Sequence, residues 1–482
     1  MLLRDFPIGR IASVLARDNL LPAIVFRTAR KQCDQDVQRL QSGKLGLLGS
    51  QEKTRLNDEL QRVIDKYSLD PLLVREHPHY TALVEHGVGA HHAGQLLVWR
   101  LILEELMSRG VLRIMIATGT VAAGVDFPAR TVVITAHSRR GSSGFATLTA
   151  AELQQMAGRA GRRGKDTVGL CIVAPTQFLD ARVIHEVSQQ PPEPLRSAYF
   201  AAPSTVLNLL KFRNVDDLTY TVQRSLASFL DMKHARGLRM EAAGQEEALT
   251  ATLDRMGDEG LKKARKRIRR IERQADEIER RQLVELEQSL RGLESLGYVE
   301  RGRLTAKGLW SAELYTSLVL ELAEGVDGGL FDNLSTEEIV GVVASISGDP
   351  HRGYLKMRPN PLDKEVYKIM EEIVLKVRAA YVNPATTEVQ VLPDAAGTVI
   401  QWMRSGNWRE FAGILRLSGV AEGDVARLVT QTADHLNQLS RLERTHPGIA
   451  KRAVEGREQI LRPPLIEAEL FEDELATEPP VL

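Results

Sequence analysis

The chain has 482 residues, 43% of them apolar, and its 63 basic and 63 acidic side chains leave no formal net charge. That length predicts about three domains, the apolar share is enough for ordinary cores, and any polyanion must be met by local patches. Cys33 and Cys171 form no CxxC pair, which excludes a disulfide framework or thiolate zinc site. With no signal-length apolar core at the N-terminus and no membrane-spanning run, a cytoplasmic protein is expected.

In chain order, residues 23–26 read as a buried strand and the stretch to residue 40 as a helix. Residues 112–117, 131–134 and 169–173 are further β-rich runs, and 95–109 and 149–159 read as helices. This alternation predicts an α/β domain over 1–190, its parallel sheet covered on both faces. Ligands of such sheets gather beyond the carboxyl ends of the strands, where the segment 118–128 leaves its strand. Gln190-Pro-Pro-Glu-Pro194 marks a boundary. Residues 191–306 start helical and include a charged stretch at about 231–291. It reads as an exposed helical hairpin, open to being a solvated face or a nucleic-acid contact. Residues 297–305 read as a small hairpin, the pattern of a winged-helix wing. Residues 307–461 look all-helical, with Ser335 and Glu338 as an N-cap pair. The proline-punctuated acidic tail, 462–482, is expected to be disordered.

The most informative residues are Gln-Met-Ala-Gly-Arg-Ala-Gly-Arg-Arg-Gly at 155–164. On one helix Gln155, Arg159 and Arg162 fall at i, i+4 and i+7 and share a face. Gly158 and Gly161 each cost about 1 kcal/mol in a helix interior, which suggests that something approaches the backbone closely. Guanidinium forks suit a polyphosphate; an Arg/Gly-rich solvated helix or a loose RNA-binding stretch is the alternative. Residues 117–126, Ala-Thr-Gly-Thr-Val-Ala-Ala-Gly-Val-Asp, are small enough to admit a ligand, with Asp126 able to accept from a sugar hydroxyl. A plain strand-to-helix turn explains them equally. His77, His79, His86, His91 and His92 have no acidic or thiol set at metal-binding spacing, so packing or a place beside phosphate is expected.

Taken in order, Val25-Phe26, the His-His-Ala-Gly run at 91–94, 117–126 and 155–164 resemble motifs IV to VI of superfamily 2 helicases, in the flavour of the superkiller-like DExH RNA helicases. Pro194-Leu-Arg-Ser197 and Leu207-Asn-Leu-Leu210 resemble the start of that family's winged helix. Leu296-Gly-Tyr298, Thr305 with Lys307-Gly308, and Leu334-Ser335 resemble its helical C-terminal region. Glu422-Gly-Asp424 followed by Arg427 is similar to the start of its channel-lining helix. The resemblance implies a second RecA-like domain (1–190), a winged helix (191–306) and a mostly helical C-terminal domain (307–461).

By matching residue, the resemblance implies Arg162 as main arginine finger, Arg159 as the second, and Gln155 beside the γ-phosphate. It puts Gly124 and Asp126 on the nucleotide, and Phe26, Arg27, His92, Thr118 and Arg427 at the nucleic acid. For Arg427 an ion pair with Glu422 or Asp424 is equally open. Three departures stand out: Arg27 where the family has a small polar residue, Asp126 where many members have Asn, and a short charged stretch in place of a large arch.

The 482 residues contain no Gly-x-x-x-x-Gly-Lys-Ser/Thr loop and no Asp-Glu-x-His segment. The glycines at 43–49 lack the lysine and hydroxyl at the required end. The expected cofactors, ATP and Mg2+, therefore need a first RecA-like domain, in cis or in trans, to hold phosphates and metal. RNA or single-stranded DNA is the expected partner, and no membrane. The reading is the C-terminal half of an ATP-dependent RNA helicase; the alternatives are a non-catalytic nucleic-acid-binding module and a DNA repair helicase fragment.

Overall fold

The computed structural model describes residues 6–43, 46–119, 128–141, 144–162, 164–174, 176, 179–195, 197, 199, 201–251, 258–381 and 389–465. The chain divides into two compact units. The first takes the residues up to Pro194, Gly406–Arg427 and those from Pro463; the second takes Leu195–Ser405 and Leu428–Arg462.

In the first unit, α1 (Ile8–Arg17) sets Ile8, Ile11, Ala12 and Leu15 on one face at i, i+3, i+4 and i+7, and buries all four. Strand β1 (Ala23–Arg27) follows, then α2 (Arg30–Ser42), α3 (Ser50–Lys66), α4 (Pro71–Arg75) and α5 (Tyr80–His86). Next come β2 (Val88–His91), α6 (Leu97–Ser108), β3 (Ile114–Thr118) and β4 (Thr131–Ile134). A polar hairpin, β5 (Ser138–Gly141) and β6 (Gly144–Thr147), precedes α7 (Ala150–Ala157), β7 (Leu170–Val173) and α8 (Ala181–Ser188).

Five strands form one parallel sheet in the order β2-β3-β1-β4-β7. This is the RecA-like α/β architecture expected from the alternating pattern. Burial on both faces holds for β2 and β4 and for all of β1 and β3 but their last residues, which explains their apolar runs. It does not hold for β7, an edge strand whose Leu170 and Cys171 are exposed.

The second unit is helical. Helices α9 (Pro203–Leu210) and α10 (Val215–Gln223) lead into a long pair, α11 (Leu226–Ala251) and α12 (Asp258–Ser295). A two-stranded hairpin, β8 (Val299–Glu300) and β9 (Arg303–Leu304), follows where a wing is expected. Then come α13 (Ala306–Ser311), α14 (Val319–Asp327), α15 (Thr336–Ser347), α16 (Lys364–Ala380) and α17 (Pro393–Arg404). Helix α18 (Trp408–Leu417) belongs to the first unit. Helix α19 (Glu422–Ser440) starts among first-unit residues and continues into the second, and a 3-10 turn (Arg441–Arg444) and α20 (Pro447–Ile460) complete the chain.

The residues singled out near the wing fasten it. Tyr298 Oη (2.7 Å), Lys307 Nζ (2.6 Å) and Lys376 Nζ (2.6 Å) all donate to the buried carboxylate of Glu324 on α14. A Cβ on Gly308 would lie 2.1 Å from the Tyr298 carbonyl, so only glycine fits there. Ser335 and Glu338 form the expected capping box at the start of α15, a device that contributes about 1 kcal/mol.

Candidate functional site

Because all five strands are parallel, their carboxyl ends share one side of the sheet. Arg27 and Thr118 are register partners there, and His91 pairs with Ala117. Phe26 is 2% exposed, inside the core. Arg27 turns inward, its Nε 2.7 Å from the buried carboxylate of Asp36 on α2.

The run after β2 is held from several sides. Gly94 N–H donates to His92 Nδ1 at 3.1 Å, which leaves Nε2 as the donor to Asp34 Oδ1 at 2.9 Å. Gln95 Nε2 donates to the same oxygen at 3.0 Å, and Gln95 Oε1 accepts from His77 Nε2 at 2.9 Å. The His77 ring stacks on Trp99 at 3.6 Å. Burial holds His77 well below its ordinary pKa and so neutral. The histidine cluster is thus a packing and hydrogen-bonding network. Among the described residues no group of three or more His, Cys, Asp or Glu side chains is placed to hold a metal ion.

The start of α19 docks onto this same run. Gly423 N–H donates to the Gly94 carbonyl at 3.0 Å, and a Cβ on Gly423 would lie 2.5 Å from the carbonyls of Ala93 and Gln95. Arg30, the first residue of α2, places one nitrogen 2.7 and 2.8 Å from the two oxygens of Asp424. Glu422 accepts from Trp408 Nε1 and Arg416 Nε. Both carboxylates near Arg427 are therefore engaged elsewhere. Arg427 itself is exposed and in no ion pair among the described residues. It lies one helical turn past the docked Gly423 on α19.

The 155–164 stretch is built differently from a single helix. Thr149 caps α7 reciprocally with Glu152, and Glu193 accepts from the N–H groups of Ala150 and Ala151, an anion at a helix N-terminus. The helix ends at Ala157 with Gly158 as its cap. Arg159 lies in the turn, Ala160 makes a parallel bridge to Ala129, and Gly161 has φ +94°. Gln155, Arg159 and Arg162 consequently do not share one helix face, which corrects the expectation from spacing. The glycines serve close approach by the chain itself: a Cβ on Gly161 would lie 3.1 Å from Gly169 Cα, and one on Gly169 would lie 2.3 Å from the Ala160 carbonyl oxygen.

This turn flanks the amino ends of β4 and β7, since Ala129 N–H donates to the Arg159 carbonyl and Gly161 N–H to the Ala129 carbonyl. Ligands are expected at the carboxyl ends of such a sheet; the arginine turn sits a strand length away, about 13 Å. There Arg162 forks onto Asp166, with Nε at 2.7 Å from one oxygen and NH2 at 3.0 Å from the other, and its own N–H also donates to Asp166 at 3.0 Å. Gln155 is exposed and Arg159 partly buried. Gly124 and Asp126 lie outside the described residues.

The residues that sequence reasoning missed are Asp166, Arg30 and Asp34. Only Asp166 left a signal, as a carboxylate four residues from Arg162 in an otherwise basic run. The Arg162 guanidinium beside it pulls its pKa down from 3.8 to about 2. A lowered carboxylate pKa stabilises the fold above its unfolded value and loses that contribution as pH falls toward 2. We therefore expect a carboxyl-detected NMR titration of Asp166 to show a midpoint near 2. Asp166→Asn should flatten the stability loss between about pH 4 and 2. A midpoint near 3.8 would mean that the fork is absent in solution.

The parallel sheet, with an arginine turn at one end and a docked helix start at the other, defines a RecA-like domain of helicase type. Two family models match: the helicase conserved C-terminal domain over residues 80–164, and the DSHCT (NUC185) domain over 301–468. The chain is 33% identical over 257 residues to human superkiller complex protein 2, covering 53% of this chain and 20% of that protein. It is 32% identical over 269 residues to the chloroplastic DExH15 ATP-dependent RNA helicase of Arabidopsis thaliana (52% and 22%), and 29% over 238 residues to mouse exosome RNA helicase MTR4 (49% and 23%). The chain spans about a fifth of the length of the curated relatives it matches. These matches make the chain similar to the C-terminal portion of the superkiller-like DExH-box helicases of superfamily 2. Among the described residues no helix is long and apolar enough to cross a membrane.

Proposed function

We propose that this chain is the C-terminal half of an ATP-dependent RNA helicase, one that couples ATP hydrolysis to 3'-5' movement on RNA in the cytoplasm. The observation that carries this reading is the two-ended sheet. Arginines gather at the amino ends of β4 and β7, and candidate nucleic-acid residues gather at the carboxyl ends. Gly119 and Pro128 are the described residues on either side of 120–127.

The fork that Arg162 makes on the two oxygens of Asp166 is also the geometry that takes two phosphate oxygens, so a nucleotide triphosphate fits this wall. Among the described residues this wall offers no group of three or more His, Cys, Asp or Glu side chains that could hold Mg2+. The nucleotide, when bound, supplies the phosphoryl group to be transferred to water. In this reading Arg162 moves from Asp166 to the γ-phosphate and neutralises the charge that develops, Arg159 assists, and Gln155 contacts the same phosphate. Gly124 and Asp126 hold the nucleoside side. A first RecA-like domain supplies the phosphate cradle and the metal ligands. Exposed Val168 and Leu170, next to the arginine turn, are available to be covered by it.

At the other end, Thr118 and Arg427 touch the nucleic-acid backbone. Phe26, Arg27 and His92 belong to the same region, and their burial favours a part in shaping it. The test is made on the isolated chain and on the chain joined to a phosphate-loop domain. We expect no appreciable ATPase from the chain alone, RNA-stimulated ATPase from the joined form, and matched RNA competing better than DNA for the strand site. RNA-stimulated ATPase of the isolated chain, lost on Arg162→Ala, would overturn the two-wall site; preference for DNA would overturn the RNA assignment.

A further inference from the structure

The arm formed by α11 and α12 is neutralised over one part of its length and not over the other. The two helices run antiparallel and pack through Ala242, Ile268 and Ile271, with Leu238 and Leu249 against them. Toward the body of the unit three arginines are paired within the arm. Arg239 meets Asp276 at 2.8 Å and also Glu279, Arg281 meets Asp231, and Arg291 meets Glu287 at 3.3 Å.

Toward the turn of the hairpin the pattern stops. Between Glu259 and Glu272 the sequence holds Lys262, Lys263, Arg265, Lys266, Arg267, Arg269 and Arg270 and no acid. All seven are exposed, and among the described residues only Lys263 is in an ion pair, with Glu259 at 3.0 Å.

Helical spacing sorts these cations. Ile268, Ile271 and Ala275 face α11 and are buried. Lys262, Lys266, Arg269 and Arg273 fall at i, i+4, i+7 and i+11, in a line on the opposite side of α12. The line is about 16 Å long at 1.5 Å per residue. The acids of α11 that face this level of the arm, Glu241, Glu246 and Glu247, lie across the width of α12, about 10 Å. That is close to a Debye length at 0.1 M salt, so they screen the outer line weakly. Beyond Arg273 the next acids on this side are Asp276, already taken by Arg239, and the exposed Glu277, which follows the line one turn after Arg273 and bounds it there. Helix α12 contains no Phe, Tyr or Trp, so it offers no base-stacking platform.

We propose that this outer face of α12 is a second nucleic-acid contact, one that grips the phosphate backbone without reading sequence. It lies outside the RecA-like unit and stands whether or not Arg162 is an arginine finger. A line of long cationic side chains without aromatic neighbours gives affinity through counterion release and no base discrimination.

The test measures binding of the whole chain to fluorescein-labelled RNA and DNA strands of mixed sequence between about 50 and 200 mM salt. The comparison is with a variant carrying Lys262→Gln, Lys266→Gln, Arg269→Gln and Arg273→Gln. All four side chains are exposed, so helix content by circular dichroism should equal that of the parent. The slope of log affinity against log salt should become shallower by about 3 for single strands, at roughly 0.7 per phosphate contact. Low-salt affinity should fall at least tenfold for RNA and DNA alike. Arg427→Ala, by contrast, should change the slope by no more than about 1. An unchanged slope and affinity in the quadruple variant would overturn the proposal and leave the face as a solvated surface or an acidic-protein contact. A loss confined to particular sequences would overturn the claim that the contact is backbone-only.

Discussion

Gly169→Ala should destabilise the first unit by about 3 kcal/mol, the upper part of the usual range for forced overpacking. The added Cβ would sit 2.3 Å from the Ala160 oxygen, 2.4 Å from the Ala160 carbonyl carbon and 2.6 Å from the Gly161 nitrogen. All three are backbone atoms, so no side chain can rotate away. Relief requires parting the 158–164 turn from the strand beside it. That parting would also strain the Ala129–Ala160 bridge and the hydrogen bonds that hold the turn at the amino ends of β4 and β7. Urea unfolding should therefore show a lower midpoint with an unchanged slope. An unaltered midpoint would mean that the turn and the strand are not in contact in solution.

What was legible in the sequence follows from what each element needs. Strands β1, β3 and β4 are runs of apolar residues because both faces are buried, and they read as strands at once. Strand β2, Val-Gly-Ala-His, carries one β-branched residue and no alternation. It is a strand because it pairs with β3, and Gly89 is small because Leu103 of α6 packs where a Cβ would stand. No local pattern encodes that. Strand β6 of the small hairpin is exposed and equally silent.

The 155–164 stretch shows the opposite failure. Its helical spacing is real up to Ala157, and a tertiary bridge from Ala129 overrides it beyond. The residue types pointed to phosphate chemistry, but the geometry that presents them comes from a loop. The partners of the site, Asp166 for Arg162 and Arg30 for Asp424, depend on folding. The second pair joins residues almost four hundred positions apart, which spacing cannot reveal.

Arg162→Ala carries the largest expected effect on activity. In the chain joined to a phosphate-loop domain, an arginine finger accelerates phosphoryl transfer by about 10³–10⁵. The loss should appear in kcat and kcat/KM together, because the contact is made to charge that develops in the transition state. The nucleic-acid residues lie at the other end of the sheet, so strand affinity should not change. Removing Arg162 also leaves Asp166 without its fork, so the variant is compared with Arg162→Lys, which keeps a charge but not the bidentate geometry. The lysine variant should hold Asp166 ionised and still turn over slowly.

The decisive measurement is RNA-stimulated ATP turnover of the joined protein and its Arg162→Ala variant, with RNA affinity measured in parallel. The two-wall site predicts turnover lowered at least a thousandfold with RNA binding intact. Normal turnover in the variant, or RNA binding lost in proportion to turnover, would contradict the assignment of Arg162 to the phosphate wall.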